Sequence, residues 1–276
     1  VKAFVTALLV LPTAGTPRPG LAAAVDPSMH VEGSGAVTVV FESGLGDTAA
    51  PWRSVQAAIA DHCATTVSYT RDGYGGGRHG ATGVRDAERV VSELRARLAA
   101  SGHQPPYVLV GHSLGGLYMQ YFARRYPAEA RALVLVDSMH PQQVDRVEAA
   151  QPGVYRTMNL LTRLRGGITR REFVGVRSTA AQLAALPPPS RLPTIVLSST
   201  QPGVGESAAF RALLAQLQGE LAVDYAARRH EFVAGSGHYI HLDRPGAVIG
   251  AVRELSGCDA TPVATGERRG AQAVAH

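Results

Sequence analysis

Residues 107–118 read YVLVGHSLGGLY. Four residues of strand character run into Gly-His-Ser-Leu-Gly, and the stretch after them, LGGLYMQYFARRYP, has the composition of a helix. A strand that turns sharply into a helix places its apex residue in a strained backbone conformation, which lifts that side chain clear of the sheet. The chain two residues before and two residues after the apex then comes very close, with little room for a Cβ. Gly111 and Gly115 stand at those two places, and the apex is Ser113. The helix opening at Leu114 aims its unpaired N–H groups and partial positive charge at whatever reacts with the Ser113 hydroxyl.

Outward from this stretch, apolar runs and helix-like segments alternate, which predicts a mostly parallel sheet covered on both faces. Strands are expected at AVTVVFE (36–42), ATTVSYT (64–70), RALVLVD (131–137), LPTIVLSS (192–199) and RHEFVAG (229–235). Helices are expected at 51–62, at 84–100 with Val84, Ala87, Val91, Leu94 and Leu98 at helical spacing, at 210–221 and at 243–257. In the last, Asp243 is placed to cap and Pro245 to occupy the first turn. Between about 139 and 190 the pattern is helix-like but broken by proline and glycine, which reads as a lid inserted between two core strands. Leu160, Leu161, Leu164 and Phe173 are candidates to line an apolar pocket beneath it, and core packing accounts for them equally well. The tail, 259–276, lacks periodicity and reads as disordered.

At 276 residues, 45% of them hydrophobic, the chain suits one α/β domain or one domain with an insertion. The formal net charge is +5, and Lys2 is the only lysine among 27 basic residues. The arginines are scattered, with the densest cluster at TRLRGGITRREF (162–173), and no basic face with aromatic partners argues for nucleic-acid binding. Behind Lys2, the run AFVTALLVLPTAGT is too short to span a bilayer but fits a secretory signal, with GLAAAV (20–25) supplying small residues for cleavage. On that reading residues 1–24 are a leader, the mature protein is secreted, and no later segment anchors it to a membrane. Cys63 and Cys258 follow two helices expected on the same face of the sheet; either a disulfide or two buried thiols fits that placement.

A serine hydroxyl is a weak nucleophile until a base takes its proton, and that base is usually a histidine oriented by a carboxylate. In an open parallel sheet such groups come from loops at the C-terminal ends of strands. His238 follows the last strand in VAGSGHYIHLDRP, on a Ser-Gly loop that can carry an imidazole over the sheet. His241, at the entry to a helix, reads as a supporting residue, His112 as packed beneath the turn, and His140 as a candidate at the pocket mouth. For the acid, Asp137 ends the strand beside the turn and is favoured over Glu206, which lies several residues beyond its own strand; Asp137 also reads as a helix cap. Charge developing on a carbonyl oxygen needs preorganised N–H donors. Leu114 offers one, and Leu45, in the Gly-flanked turn SGLGDT (43–48), offers the other.

From VTVVFESGLGD through YTRDGYGGG, VLVGHSLGGLYMQYFARRYP and LVLVD to VAGSGHYIHLDRP, the chain resembles the α/β-hydrolase superfamily over roughly residues 36–256. The resemblance implies a central sheet of six to eight strands with helices on both faces and a helical lid. It also implies a Ser113 nucleophile, a His238 base and oxyanion donors at Leu45 and Leu114, with no metal or organic cofactor. Three departures stand out. Ser43 replaces the histidine common in the oxyanion loop, the loop after TIVLSS lacks the usual aspartate, and the leader leaves little room for a full set of antiparallel strands. A serine at 113 separates the chain from the dehalogenase and epoxide-hydrolase branches. The expected function is secreted hydrolysis of a small carboxylic ester. Cofactor-free perhydrolysis or C–C bond hydrolysis on the same fold, and ligand binding without catalysis, are the alternatives.

Overall fold

A computed structural model describes residues 26–60, 63–75, 83–189, 191–203 and 205–258. The expected leader at 1–24 and the expected disordered tail at 259–276 lie outside the described residues, as do His62 and His79.

Seven strands form one sheet: β1 (Met29–Glu32), β2 (Val37–Glu42), β3 (Ala64–Tyr69), β4 (Tyr107–His112), β5 (Ala130–Val136), β6 (Thr194–Ser199) and β7 (Arg229–Val233). Their order is β1-β3-β2-β4-β5-β6-β7, with only β1 antiparallel to its neighbour. The chain moves from β2 outward to β3, then returns to place β4 on the other side of β2. Consecutive crossovers therefore diverge between β2 and β4, and a crevice opens at the C-terminal ends of those two strands. Both the turn after β2 and the turn after β4 open into that crevice.

The pleat sorts the apolar runs onto two faces. Val40, Leu109, Leu133, Leu135 and Val196 pack with α2 (Ala87–Ala100) and α3 (Leu114–Arg125). Their sequence neighbours Val39, Phe41, Val108, Val110, Val134 and Leu197 pack with α1 (Arg53–Ala60) and α9 (Pro245–Ser256). Asp86 caps α2 through a bond from the Arg89 N–H at 3.3 Å, so the helix begins after Val84, which is half exposed. Pro245 stands at the first turn of α9, but Asp243 does not cap that helix: Arg244 occupies the cap, and the Asp243 carboxylate instead accepts from Gly237 N–H at 2.8 Å.

Three helices, α4 (Gln143–Ala150), α5 (Pro152–Arg165) and α6 (Gly167–Ala184), join β5 to β6. They are not all cover. Helix α6 packs on α2 and α3, and its Val176 and Leu183 belong to the core, which is why α3 is buried around most of its circumference. Phe173 is buried against Tyr155, whereas Leu160, Leu161 and Leu164 of α5 are 56%, 54% and 75% exposed. The remaining helices are α7 (Ala208–Asp224), started by the Ser207 hydroxyl accepting from Phe210 N–H, and the single turn α8 (Ile240–Asp243). Among the described residues no helix is long and apolar enough to cross a membrane.

Helices α1 and α9 pack side by side, and a disulfide joins the residues just past their ends, Cys63 and Cys258, whose Cα atoms are 5.8 Å apart. The bridge closes a loop with a sequence separation of 195 residues. Constraint of the unfolded chain by so long a loop contributes about 3–5 kcal/mol. The double variant Cys63→Ser/Cys258→Ser is expected to lose that much stability in urea unfolding, with its activity below the transition unchanged, because the bridge lies at the opposite ends of the strands from Ser113.

Candidate active site

Ser113 occupies the apex between β4 and α3 at φ 53°, ψ −120°, a region L-residues rarely adopt. Neighbouring backbone holds it there. Ser113 N–H donates to Val136 C=O at 3.2 Å, and Ser113 C=O accepts from Met139 N–H at 2.9 Å and Gly116 N–H at 3.0 Å. A Cβ at Gly111 would meet Gly116 Cα at 2.5 Å, and one at Gly115 would meet the Glu42 and Ser43 carbonyls at 2.4 and 2.5 Å. These contacts are backbone against backbone, so no rotamer change relieves them. Gly115→Ala is expected to cost about 3 kcal/mol in chemical denaturation, and to displace the turn after β2.

The Ser113 hydroxyl donates to His238 Nε2 at 3.0 Å, and His238 Nδ1 lies 2.7 Å from Asp137 Oδ2. The structure thus brings together side chains from three loops, after β4, β5 and β7. Asp137, at φ 41°, is 11% exposed at its side chain and accepts also from Ser199 N–H at 2.9 Å and Ser199 Oγ at 3.0 Å. Three donors therefore hold the carboxylate, two of them on Oδ2. It does not cap a lid helix; Gln142 holds the cap position of α4. Glu206 folds back on its own loop instead, accepting from Gly203 N–H at 2.8 Å, with Arg211 at 3.7 Å.

His238 is half exposed at the mouth of the site. Crowding by protein on its inner side disfavours the imidazolium, but the hydrogen bond and charge of Asp137 outweigh that, and its pKa lies above the usual 6.5. His112 lies directly behind it. The His112 Nε2 atom is 2.9 Å from the His238 carbonyl oxygen, and the two ring centroids are 4.6 Å apart. His241, buried, stacks on Trp52 at 4.2 Å and meets His112 at 4.6 Å. Burial, and next the positive charge of a protonated His238, hold His112 well below the ordinary histidine value and His241 at about 3, so both supporting rings are neutral. His140 does not line the site: its ring faces α7, 3.7 Å from Asp224 and 4.0 Å from Glu220.

Leu45 and Leu114 stand in the turns after β2 and β4, at adjacent strand ends. Among the described residues neither N–H donates to a protein acceptor. Asp47, at the end of the Leu45 turn, accepts from Tyr239 OH at 3.3 Å and so ties that turn to the His238 loop. Behind the same turn lies a buried charged cluster of Glu42, Arg71 and Glu172, all at most 2% exposed, which no sequence pattern marks. The charges are far apart in sequence, and the signal available was only the position of Arg71, two residues past the end of β3. Among the described residues no His, Cys, Asp and Glu side chains are grouped as metal ligands.

A parallel sheet with a serine raised between two glycines on a strand-to-helix turn defines the class of hydrolases built on such turns. A model of the alpha/beta hydrolase family matches residues 39–251, and the chain belongs to that family. It is similar to the protein YbdG of Bacillus subtilis, 34% identical over 120 residues that make up 42% of this chain and 36% of that one. The chain spans about two fifths of the length of the first curated relatives it matches. Its fold is similar to a carboxylesterase of Nitrososphaera gargenis, with a TM-score of 0.58 at 12% identity over 83% of this chain and 94% of that one. It is similar also to a thermophilic esterase of Thermogutta terrifontis, with a TM-score of 0.53 at 19% identity over 84% and 95%.

Proposed function

We propose that this hydrolase cleaves a carboxylic ester of a small molecule through an acyl-enzyme at Ser113. One observation carries the reading: the unbroken chain Ser113 Oγ, His238, Asp137 at 3.0 and 2.7 Å. Ser113 Oγ bonds to the acyl carbon while His238 Nε2 takes the hydroxyl proton, and Asp137 stabilises the resulting imidazolium. The Leu45 and Leu114 N–H groups receive the negative charge that develops on the carbonyl oxygen. The C–O bond then breaks, His238 passes its proton to the departing alkoxide, and the alcohol leaves. Water attacks the acyl-enzyme by the same route reversed, releasing the acid and restoring the Ser113 hydroxyl. Esterases among the solved structures of similar fold support the substrate class.

The chain is proposed to act outside the reducing cytosol, a reading supported by the basic and apolar N-terminal sequence and by the Cys63–Cys258 bridge. The test of function is intact-mass analysis after exposure to a fluorophosphonate, followed by an ester panel of graded acyl length. One adduct on Ser113, with turnover of at least one ester, is the expected result. Folded protein that takes no adduct would favour ligand binding without catalysis.

A further inference from the structure

Behind the Leu45 N–H stands a buried charge, beside the turn bond from Asp47 N–H to Gly44 C=O at 3.3 Å. Leu45 N–H and Gly44 C=O belong to one planar trans peptide unit, in which they point in opposite directions. Arg71 Nη2 donates to that Gly44 oxygen at 2.7 Å, and Arg71 Nη1 donates to the preceding carbonyl, Ser43 C=O, also at 2.7 Å. With the carbonyl anchored inward on the guanidinium, the N–H faces the other way. A full positive charge on the carbonyl side also polarises the peptide, which strengthens the N–H as a donor.

The guanidinium is itself fixed. Arg71 Nε and Nη2 reach the two oxygens of Glu172 at 2.8 and 2.9 Å, and Nη1 reaches Glu42 Oε1 at 2.6 Å. Glu42 ends β2, Arg71 follows β3, and Glu172 comes from α6. Tyr74 completes the frame: its hydroxyl donates to Glu172 Oε2 at 2.8 Å and accepts from Gly46 N–H at 3.1 Å, holding the turn on the far side of Leu45. The Ser43 N–H is held in turn by Glu42 at 3.2 Å, and the second carboxylate oxygen of Glu42 is met by Tyr69 OH. Arg85 stands 3.6 Å from Glu172, so the cluster holds two cations against two anions.

We infer that Arg71, braced by Glu172 and Tyr74, is a positioning residue that orients and polarises the peptide carrying the Leu45 oxyanion donor. The inference rests on the proposed reading of Leu45, and it gives this buried cluster a catalytic purpose beyond holding α6 to the sheet. A lysine at 71 keeps a charge but has no planar fork to serve Gly44, Ser43 and both Glu172 oxygens together.

The experiment compares Arg71→Lys and Tyr74→Phe with the wild type in ester hydrolysis and in inhibition by a trifluoromethyl ketone, which forms a hemiketal oxyanion. Active-site titration with a fluorophosphonate normalises each rate to the folded, competent fraction. Arg71→Lys is expected to lower kcat 10- to 100-fold with KM within twofold, and to weaken the ketone by the same factor. Tyr74→Phe is expected to do the same to a smaller extent. The acid limb of kcat/KM stays in place for both, since His238 and Asp137 are untouched. Normalised kcat and ketone affinity at wild-type levels in both variants would overturn the inference, as would a fall in titre that accounts for the whole loss. Should Arg71→Lys not fold, Tyr74→Phe decides alone by the same criteria. A wild type that turns over no ester and takes no adduct would instead sink the functional reading, and this inference with it.

Discussion

Ser113→Ala is expected to lower kcat for any ester substrate by roughly 10⁵- to 10⁶-fold while leaving the fold and the substrate's dissociation constant nearly unchanged. The separation follows from what the hydroxyl touches. Among the described residues its side-chain partner is His238 Nε2 at 3.0 Å, whereas the strained backbone at φ 53° is held by main-chain bonds to Val136, Gly116 and Met139 that alanine retains. Alanine carries the same Cβ as serine, so the backbone strain is unchanged, and removing a polar atom aimed at the crevice costs the fold less than about 1 kcal/mol. Steady-state kinetics and a thermal melt on the same preparation measure both quantities. Turnover surviving within a hundredfold would place the nucleophile elsewhere. A melt displaced by many degrees would mean that the hydroxyl is structural.

Much of this site could be read from residues 107–118 because the constraint there is steric and local. The turn needs glycine at 111 and 115 for reasons visible in the pleat and the close approach of the helix, and the contacts of 2.4–2.5 Å that a Cβ would make are the physical content of that pattern. The strands were legible for a related cause: five are buried along most of their length and so appear as short runs rich in apolar and β-branched residues. Strand β1 was not, since MHVE is four residues long, alternates in burial, and owes its pairing to β3 rather than to its own composition. The sequence of α6 suits a covering helix for the same kind of reason. Its periodicity shows one apolar face but not which surface that face meets, and it meets α2 and α3.

The cluster of Glu42, Arg71 and Glu172 was invisible for a different reason. Each residue alone reads as an ordinary exposed charge, and Arg71 and Glu172 are 101 positions apart. Charges of this kind are buried only where all partners arrive together, and that arrival is a property of the topology: β2 and β3 are adjacent, and α6 returns across their ends. The same distinction separates His238 from His112. The first is marked by its place after a strand; the second acts through a bond to the His238 backbone carbonyl, which spacing does not encode.

Asp137→Asn is expected to lower kcat/KM by about 10⁴-fold and to move its acid limb to lower pH. The substitution is a narrow one. Asparagine tolerates the positive φ of position 137 as aspartate does, and its amide oxygen, in the Oδ1 place, can still accept from Ser199 N–H, while the Ser199 hydroxyl turns to accept from the NH₂ in the Oδ2 place. Its NH₂ is then left facing His238 Nδ1, which must become an acceptor, so the proton moves to Nε2 and the ring no longer receives the Ser113 proton. The pH effect has a definite sign. His238 works as a base only when neutral, so the wild-type rate rises with pH through a midpoint above 6.5, where Asp137 has raised it against burial. Without the Asp137 charge and bond the opposing burial remains, and the midpoint falls. Stability changes in parallel. A raised His238 pKa stabilises the fold below the unfolded value near 6.5, and that contribution is lost as pH rises through the folded value. The variant should therefore be weakened relative to wild type more at pH 5 than at pH 9. Rate profiles and denaturant melts across that range test both. An acid limb that stays in place on Asp137→Asn, with the rate within tenfold, would show that a different carboxylate orients His238, and Glu206 would be the next to replace.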